Sequence, residues 1–112
     1  MSEKQKLFIV DDSELNRDIL KEILGSSYDY LEAENGTQAI QIFEVHPEID
    51  LMLLDINMPQ MNGFQVLEHM RELQWIDEVP VVMISSEESV EIMRKAYDLG
   101  ITDYISRPFD AV

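Results

Sequence analysis

Cysteine is absent from this chain of 112 residues, and basic side chains are scarce. Without cysteine the protein cannot form disulfides, zinc-thiolate sites or a catalytic thiol, which fits a reducing compartment. Only 8 lysines and arginines oppose 23 acidic residues, so the formal net charge is -15. Nucleic acid and anionic membrane surfaces both require a cationic face. We therefore expect neither as a direct partner of this domain, and expect cations or basic proteins instead.

Long hydrophobic runs are also lacking. No apolar stretch approaches the roughly 20 residues that a transmembrane helix needs, and residues 1–6 do not resemble a signal peptide. We therefore interpret the protein as cytoplasmic. Its length suits one domain, here residues 1–112, and a hydrophobic content of 46% is enough to build a core.

What the chain does contain is a series of short apolar runs, each followed by a residue with useful chemistry. The runs cover residues 7–10, 51–54, 81–84 and 104–106, and the residues that follow them are Asp11 with Asp12, Asp55, Ser85 and Arg107. Continuous apolar runs between helix-length segments are typical of buried parallel strands. Parallel connections place the carboxyl ends of such strands at one edge of the sheet, where ligands of open α/β sheets bind. We expect three carboxylates, a hydroxyl and a cation to converge there.

Segments with helical periodicity separate these strands. Apolar residues recur at helical spacing within residues 15–23, 39–43, 64–73 and 90–97, and a weaker strand covers residues 28–33. The first helix is expected to have Asp12 or Ser13 as its N-cap and to end at Gly25. The whole pattern predicts an α/β domain with a doubly wound five-stranded parallel sheet in the order 2-1-3-4-5, with the last helix missing.

The three clustered carboxylates predict a metal site. Like charges at short range are costly unless a cation lies between them, and Mg²⁺ prefers oxygen ligands, usually one or two carboxylates together with phosphate oxygens. Mg²⁺ beside a free carboxylate, a hydroxyl and a fixed cation suits phosphoryl transfer to that carboxylate. Asp55 is the better acceptor because it stands alone at the end of the central strand. Asp11 and Asp12 then form the metal side of the site.

Four motifs in a fixed order extend this interpretation. LFIVDDS at residues 7–13, LLDINMP at 53–59 with MNG at 61–63, PVVMISS at 80–86 and DYISRPF at 103–109 resemble the receiver domain of two-component response regulators. The resemblance covers essentially the whole chain. It implies a flavodoxin-like, or CheY-like, fold and a phosphorelay module that accepts a phosphoryl group with Mg²⁺ from a sensor histidine kinase or a phosphotransfer protein. It implies no enzymatic activity beyond self-phosphorylation and autodephosphorylation.

The resemblance also implies a role for each site residue. Asp55 is the expected phosphoacceptor, Ser85 the hydroxyl that turns toward the phosphoryl group, and Tyr104 the aromatic switch. The expected metal ligands are Asp11, Asp12, Asp55 and the backbone carbonyl of Asn57. Arg107 departs from the family pattern, which has lysine before the proline. Arginine retains the charge but is longer and planar, so slower phosphorylation or altered coupling of the switch is expected.

Two other functions stay open at this point. A phosphate-independent interaction domain of the same fold would explain Arg107, and the site residues also have plainer interpretations: Asp11 and Asp12 as a strand end with a helix cap, Ser85 as a loop hydroxyl, and Tyr104 as sheet packing. A small α/β enzyme, such as a flavin protein or an aspartate-based phosphatase, is the other candidate. Against it, Asp-Asp-Ser rather than a glycine-rich phosphate loop follows the first strand. Nor does a second aspartate lie two residues after Asp55.

Only four residues follow Pro108, so the sequence has no room for a fifth crossover helix. We expect the chain to be the N-terminal part of a longer polypeptide with an output domain. The sheet face that such a helix would cover is expected either to associate, for example in a homodimer, or to leave the fragment less stable than an extended version.

Overall fold

A computed structural model describes residues 4–58, 61–85 and 89–106. The strands are β1 (Lys6–Val10), β2 (Asp29–Ala33), β3 (Leu51–Asp55), β4 (Val81–Ser85) and β5 (Asp103–Ser106). The helices are α1 (Glu14–Leu24), α2 (Gly36–Val45), α3 (Gly63–Glu72) and α4 (Val90–Asp98), with a short 3₁₀ turn at Trp75–Asp77. Strands and helices alternate along the described chain, as the apolar periodicity predicts.

The strands form one parallel sheet in the order β2-β1-β3-β4-β5, which confirms the predicted topology. Its register decides which residues meet at the carboxyl edge. Val10 of β1 pairs with Leu54 of β3, so Asp11 follows β1 at the level of Asp55. Asp55 in turn pairs with Ile84, one residue before Ser85. The carboxyl ends of β1, β3 and β4 are therefore adjacent.

Side-chain caps define where the helices begin. Ser13 is the N-cap of α1, and its hydroxyl accepts a hydrogen bond from the Asn16 N–H at 3.2 Å. Asn62 caps α3 in a capping box, in which the Asn62 and Gln65 side chains each accept from the other residue's backbone N–H at 3.0 and 2.9 Å. Such caps satisfy backbone donors that have no partner within the helix. Gly25 ends α1 at a φ of 89°, a conformation that favours glycine.

Most of the apolar core lies between the sheet and the helices α2, α3 and α4. It includes fully buried strand residues such as Phe8, Met52 and Met83, and α3 contributes Val66, Leu67 and Met70. The Trp75 ring stacks on Phe43 of α2, with centroids 4.6 Å apart. This packing makes the central strands and α3 the most deeply buried part of the described domain.

The opposite face of the sheet is covered by α1 and has a smaller core. Leu20 is the buried residue of this helix, and it packs with Ile9, Leu53 and Ile84. The apolar stripe that predicted α1, formed by Leu15, Ile19 and Ile23, is instead 69%, 39% and 59% exposed. The predicted helix is confirmed, but its most regular apolar stripe is exposed. Val90 and Tyr97 of α4 are likewise exposed, and Ala96 is buried in their place.

Across the part of the chain that the structure describes, no helix combines the length and the hydrophobicity needed to span a bilayer.

Candidate functional site

Three carboxylates converge at the carboxyl edge of the sheet. Asp11 and Asp12 follow β1, Asp55 ends β3, and one carboxylate oxygen from each lies within 4.8 Å of the others. Asp11 and Asp55 are 2% and 4% exposed, whereas Asp12 is exposed to solvent. The site therefore has two buried carboxylates and a third that opens to water. The structure brings together the same three residues that the strand ends predicted.

The close approach of α3 holds the backbone at Asp55. The Gly63 N–H donates to the Ile56 carbonyl at 2.8 Å. A Cβ atom at Gly63 would lie 2.5 Å from the Asp55 carbonyl oxygen and 2.9 Å from the Ile56 Cα. Since real Cβ atoms do not approach backbone so closely, only glycine allows α3 to begin against the end of β3. The MNG motif contains this glycine, but its contact with Asp55 depends on the packed structure.

Asp11 is held from several directions. Its N–H donates to the Ala33 carbonyl of β2 at 3.0 Å, and its Oδ1 accepts from the Ser13 N–H at 2.9 Å. Its backbone carbonyl accepts from Nη1 of Arg17 at 2.6 Å. Ser13 thus caps α1 with its side chain and orients Asp11 with its backbone. Sequence reasoning did not identify Arg17, because nothing local marks a helix arginine as a partner of a strand-end carbonyl.

Arg17 also belongs to an ion-pair group between α1 and β2. Its Nε donates to Oε1 of Glu32 at 3.0 Å, and Lys21 Nζ donates to Oε2 of the same carboxylate at 2.8 Å. Burial favours the neutral form of Glu32, but the hydrogen bonds from Lys21 and Arg17 outweigh it and lower its pKa. The hydrogen bond with Glu32 raises the pKa of Lys21. Both charges are therefore stabilised at neutral pH.

The other predicted site residues lie around the same edge. Ser85 ends β4, is fully buried and pairs with Ser106 of β5. Asn57 lies two residues beyond Asp55 and is exposed, between the buried Ile56 and Met58. Arg107 lies outside the described residues. The expectation that its side chain reaches the acidic site therefore stays a prediction.

Tyr104 is 9% exposed and packs within the core formed with α2, α3 and α4. It pairs with Met83 in the sheet, and its N–H donates a hydrogen bond to Oδ1 of Asp103 at 2.8 Å. The resemblance to receiver domains implied that Tyr104 is the aromatic switch. In this structure the ring is already in an inward, buried position.

The donors at this edge are oxygen atoms, which suit a hard divalent cation. The site is also strongly anionic, so binding such a cation would offset the repulsion between the three carboxylates. A backbone carbonyl or a water molecule would supply a further oxygen ligand. The three carboxylates offer neither nitrogen nor sulfur ligands. The donor chemistry thus fits Mg²⁺.

The sequence profile of the response regulator receiver domain matches residues 7–112. The chain belongs to this family. It is 34% identical over 106 residues to the chemotaxis protein CheY1 of Helicobacter pylori, a match that covers 93% of this chain and 86% of CheY1. A CheY homolog of Campylobacter jejuni is 32% identical over 106 residues, with 93% of this chain and 82% of the homolog covered.

Solved structures agree with the assignment to this receiver family. The chemotaxis protein CheY4 of Vibrio cholerae superposes with a TM-score of 0.87 at 27% identity, over 96% of this chain and 90% of that one. A chain of the CheX–CheY–BeF₃–Mg²⁺ complex from Borrelia burgdorferi gives a TM-score of 0.87 at 29% identity, over 95% and 80%. The predicted CheY-like fold and the predicted family are therefore both confirmed. Receiver domains are signalling proteins rather than enzymes in the usual sense, and phosphorylation-dependent signalling is their general function.

Proposed function

We propose that this receiver domain is a phosphorylation-dependent switch in which Asp55 accepts a phosphoryl group from a phosphohistidine. The donor is a sensor histidine kinase or a phosphotransfer protein. The observation that supports this most strongly is the convergence of Asp11, Asp12 and Asp55 at the carboxyl edge, with Asp55 on the central strand. A carboxylate fixed on a buried strand has little freedom to lose when the phosphoryl group arrives.

The metal ligands we propose are the carboxylates of Asp11, Asp12 and Asp55 with the backbone carbonyl of Asn57. Bound Mg²⁺ would supply positive charge for the oxygens of the phosphoryl group. The CheX–CheY–BeF₃–Mg²⁺ complex from Borrelia burgdorferi contains a chain of the same fold together with Mg²⁺, which supports this choice of cation.

Each residue of the proposed site then has a defined role in phosphoryl transfer. A carboxylate oxygen of Asp55 attacks phosphorus, the bond from phosphorus to the histidine nitrogen breaks, and the nitrogen retains its electron pair. The product is an acyl phosphate. The Ser85 hydroxyl lies at the end of the neighbouring strand and is proposed to donate to a phosphoryl oxygen, as is the guanidinium of Arg107.

Tyr104 is the proposed link from this site to an output surface on α4 and β5. Its ring is buried beside β4, the strand that ends at Ser85. A ligand shifts an equilibrium only by its differential affinity for the two states. Phosphorylation is therefore proposed to stabilise the inward arrangement seen here, rather than to create it. The surface then binds an output partner, either a separate protein or a domain of the same polypeptide, or a second copy in a homodimer.

The intact acidic cluster favours this function over a phosphate-independent interaction domain. Such a domain has no need to keep two buried carboxylates beside a third, because burying like charges together is costly. Arg107 remains the feature that supports the alternative. A small α/β enzyme has no comparable support, since the family consists of signalling domains.

Mass spectrometry after incubation with acetyl phosphate and Mg²⁺ tests the proposal. We expect the wild-type domain to gain one phosphoryl group, and expect no gain in Asp55→Asn or when the metal is chelated. Asp98→Asn, an exposed aspartate at the end of α4, is the matched control and should be labelled normally. Labelling of Asp55→Asn would reject the acceptor, and an unlabelled wild-type protein would favour the phosphate-independent alternative.

A further inference from the structure

Arg17 joins the first helix to the backbone of the acidic site. Its side chain is 12% exposed, Nη1 donates to the Asp11 carbonyl at 2.6 Å, and Nε donates to Glu32 at 3.0 Å. The two contacts lie on different elements, since Asp11 follows β1 and Glu32 belongs to β2. A planar guanidinium can make both at once, which a lysine ammonium cannot do with the same geometry.

The carbonyl that Arg17 contacts belongs to the peptide unit between Asp11 and Asp12. A peptide unit is planar, so fixing its oxygen fixes the orientation of the whole plane. That plane determines how the two neighbouring side chains are presented to each other. The backbone on the other side of Asp11 is held separately by the bond from its N–H to the Ala33 carbonyl. Arg17 therefore acts on the link between the two carboxylates of the metal side.

The guanidinium itself is held in place. Oε1 of Glu32 accepts from Arg17, while Oε2 accepts from Lys21 at 2.8 Å. Lys21 thus shares the carboxylate with Arg17 but contacts Glu32 rather than Asp11. The two cations are neighbours on one helix and differ in whether they reach the acidic site. This difference makes Lys21 a matched control for Arg17.

We infer that Arg17 is a positioning residue of the metal site, which sets the relative orientation of Asp11 and Asp12 by holding the peptide unit between them. This inference rests on the proposed function, because it assigns the orientation of two proposed Mg²⁺ ligands. Arg17 acts on the site through its hydrogen bond to the Asp11 carbonyl.

The affinity for Mg²⁺ should change in opposite directions on loss of Arg17, depending on whether Arg17 acts as a charge or as a positioning residue. If Arg17 acted only as a nearby positive charge, removing it would make the site more negative and strengthen the binding of Mg²⁺. If it positions the ligands, removing it loosens the peptide unit and weakens binding. Loss of a residue that orients metal ligands typically reduces metal affinity by roughly 10- to 100-fold.

Titration of the phosphate-free domain with Mg²⁺, followed by calorimetry or by amide chemical shifts, decides between them. We expect Arg17→Gln to bind Mg²⁺ about 10-fold more weakly than wild type. Arg17→Lys should recover part of the loss, because it retains a donor within reach of one partner. Lys21→Gln removes the same charge from the same helix, and we expect its affinity to stay within about twofold of wild type.

Phosphorylation provides a second readout that a general loss of stability would not produce. In Arg17→Gln, the rate of labelling by acetyl phosphate should be low at limiting Mg²⁺ and should approach the wild-type rate at saturating Mg²⁺. Thermal melting of every variant checks that the domain is folded at the assay temperature. If Arg17→Gln is not folded, the comparison of Arg17→Lys with Lys21→Gln carries the same test.

The outcomes separate the inference from the proposed function. If the wild-type domain binds Mg²⁺ and Arg17→Gln binds it equally or more tightly, the positioning role is overturned and the proposed function still stands. Equal weakening in Arg17→Gln and Lys21→Gln would also overturn it, since a contact with Asp11 would then not matter. Failure of the wild-type domain to bind Mg²⁺ would overturn both.

Discussion

The two faces of the sheet are built differently. On the face of α2, α3 and α4, nineteen buried residues form a continuous core among the described parts of the chain, whereas four form the core under α1. The ion pairs of Arg17 and Lys21 with Glu32 supplement the small core under α1. Ion pairs of this exposure contribute less than apolar burial, about 0.2–1 kcal/mol each. The face of α1 is thus expected to be the weaker one.

The candidate functional site is supported from both faces of the sheet. Asp55 lies at the end of the buried central strand β3 and is backed by Gly63 of α3. Asp11 and Asp12 lie between β1 and α1, and the peptide unit between them is tied to this helix through Arg17. The proposed acceptor is therefore supported from the face with the larger core, and the Asp11–Asp12 side of the site from the face with the smaller one. Changes on the two faces should separate in their effects on stability and on the site.

Truncation of an apolar side chain on each face gives the largest expected contrast. Leu67 of α3 is fully buried, and Leu67→Ala should lower the free energy of unfolding by about 2–5 kcal/mol through lost burial and a cavity. Ile19 of α1 is 39% exposed, and Ile19→Ala should cost less than about 1 kcal/mol. Chemical unfolding of both variants measures this. Equal costs would mean that the α1 face is covered in solution, which sedimentation would show as association.

Substitution of two glycines separates damage to the site from damage to the fold. Gly63→Ala places a Cβ against the Asp55 carbonyl and should destabilise the domain by about 1–3 kcal/mol while slowing phosphorylation. Gly25→Ala at the end of α1 meets no atom within 4 Å but must adopt a φ of 89°, which costs about 1–3 kcal/mol. Its labelling rate per folded molecule should match wild type. Similar labelling rates in both variants would contradict the proposed role of Gly63.

The smallest expected contrast is a pH dependence of the free energy of unfolding, which arises from the ion pairs of Glu32 on the α1 face. Because the folded protein lowers the pKa of Glu32 below its ordinary 4.5, its contribution is present above that pH and lost as the pH falls through the lower, folded value. Glu32→Gln should therefore be less stable than wild type near neutrality, by less than about 1 kcal/mol, and the difference should shrink in acid. Unfolding free energies at a series of pH values measure it.

The control for this experiment is Glu22→Gln, which removes the same charge from an exposed position of α1. It accounts for the change in the total charge of a strongly acidic protein. A constant difference between wild type and Glu32→Gln at all pH values would show that the ion pairs do not contribute to the acid sensitivity.

Much of the architecture follows from local patterns. The apolar runs at residues 7–10, 51–54 and 81–84 are strands, and the alternation with helices leads to the observed sheet order. The gathering of Asp11, Asp12 and Asp55 was predictable for the same reason. Parallel strands joined by right-handed crossovers place their carboxyl ends together, so carboxylates at the ends of these strands lie at the same edge of the sheet.

The burial of α1 was not predictable in the same way. The spacing of a buried stripe belongs to Leu15, Ile19 and Ile23. Yet Leu20 is the buried residue that packs against the sheet, and Leu24 is partly buried against the same core. Periodicity shows that a helix is amphipathic, but the residues that become buried depend on what covers each side. Tyr104 is a similar case, because the resemblance to receiver domains implied a switch role, while its inward position depends on packing beside Met83.

The sequence by itself determined the strands, their order and the edge at which the acidic residues meet, because these depend on short apolar runs and on general rules of chain connection. The tertiary structure alone decided how that edge is supported. Gly63 against Asp55 and Arg17 on the Asp11 carbonyl are contacts between residues from different elements. Such contacts depend on helix placement to within about an ångström, because hydrogen bonds and close packing are lost beyond that range.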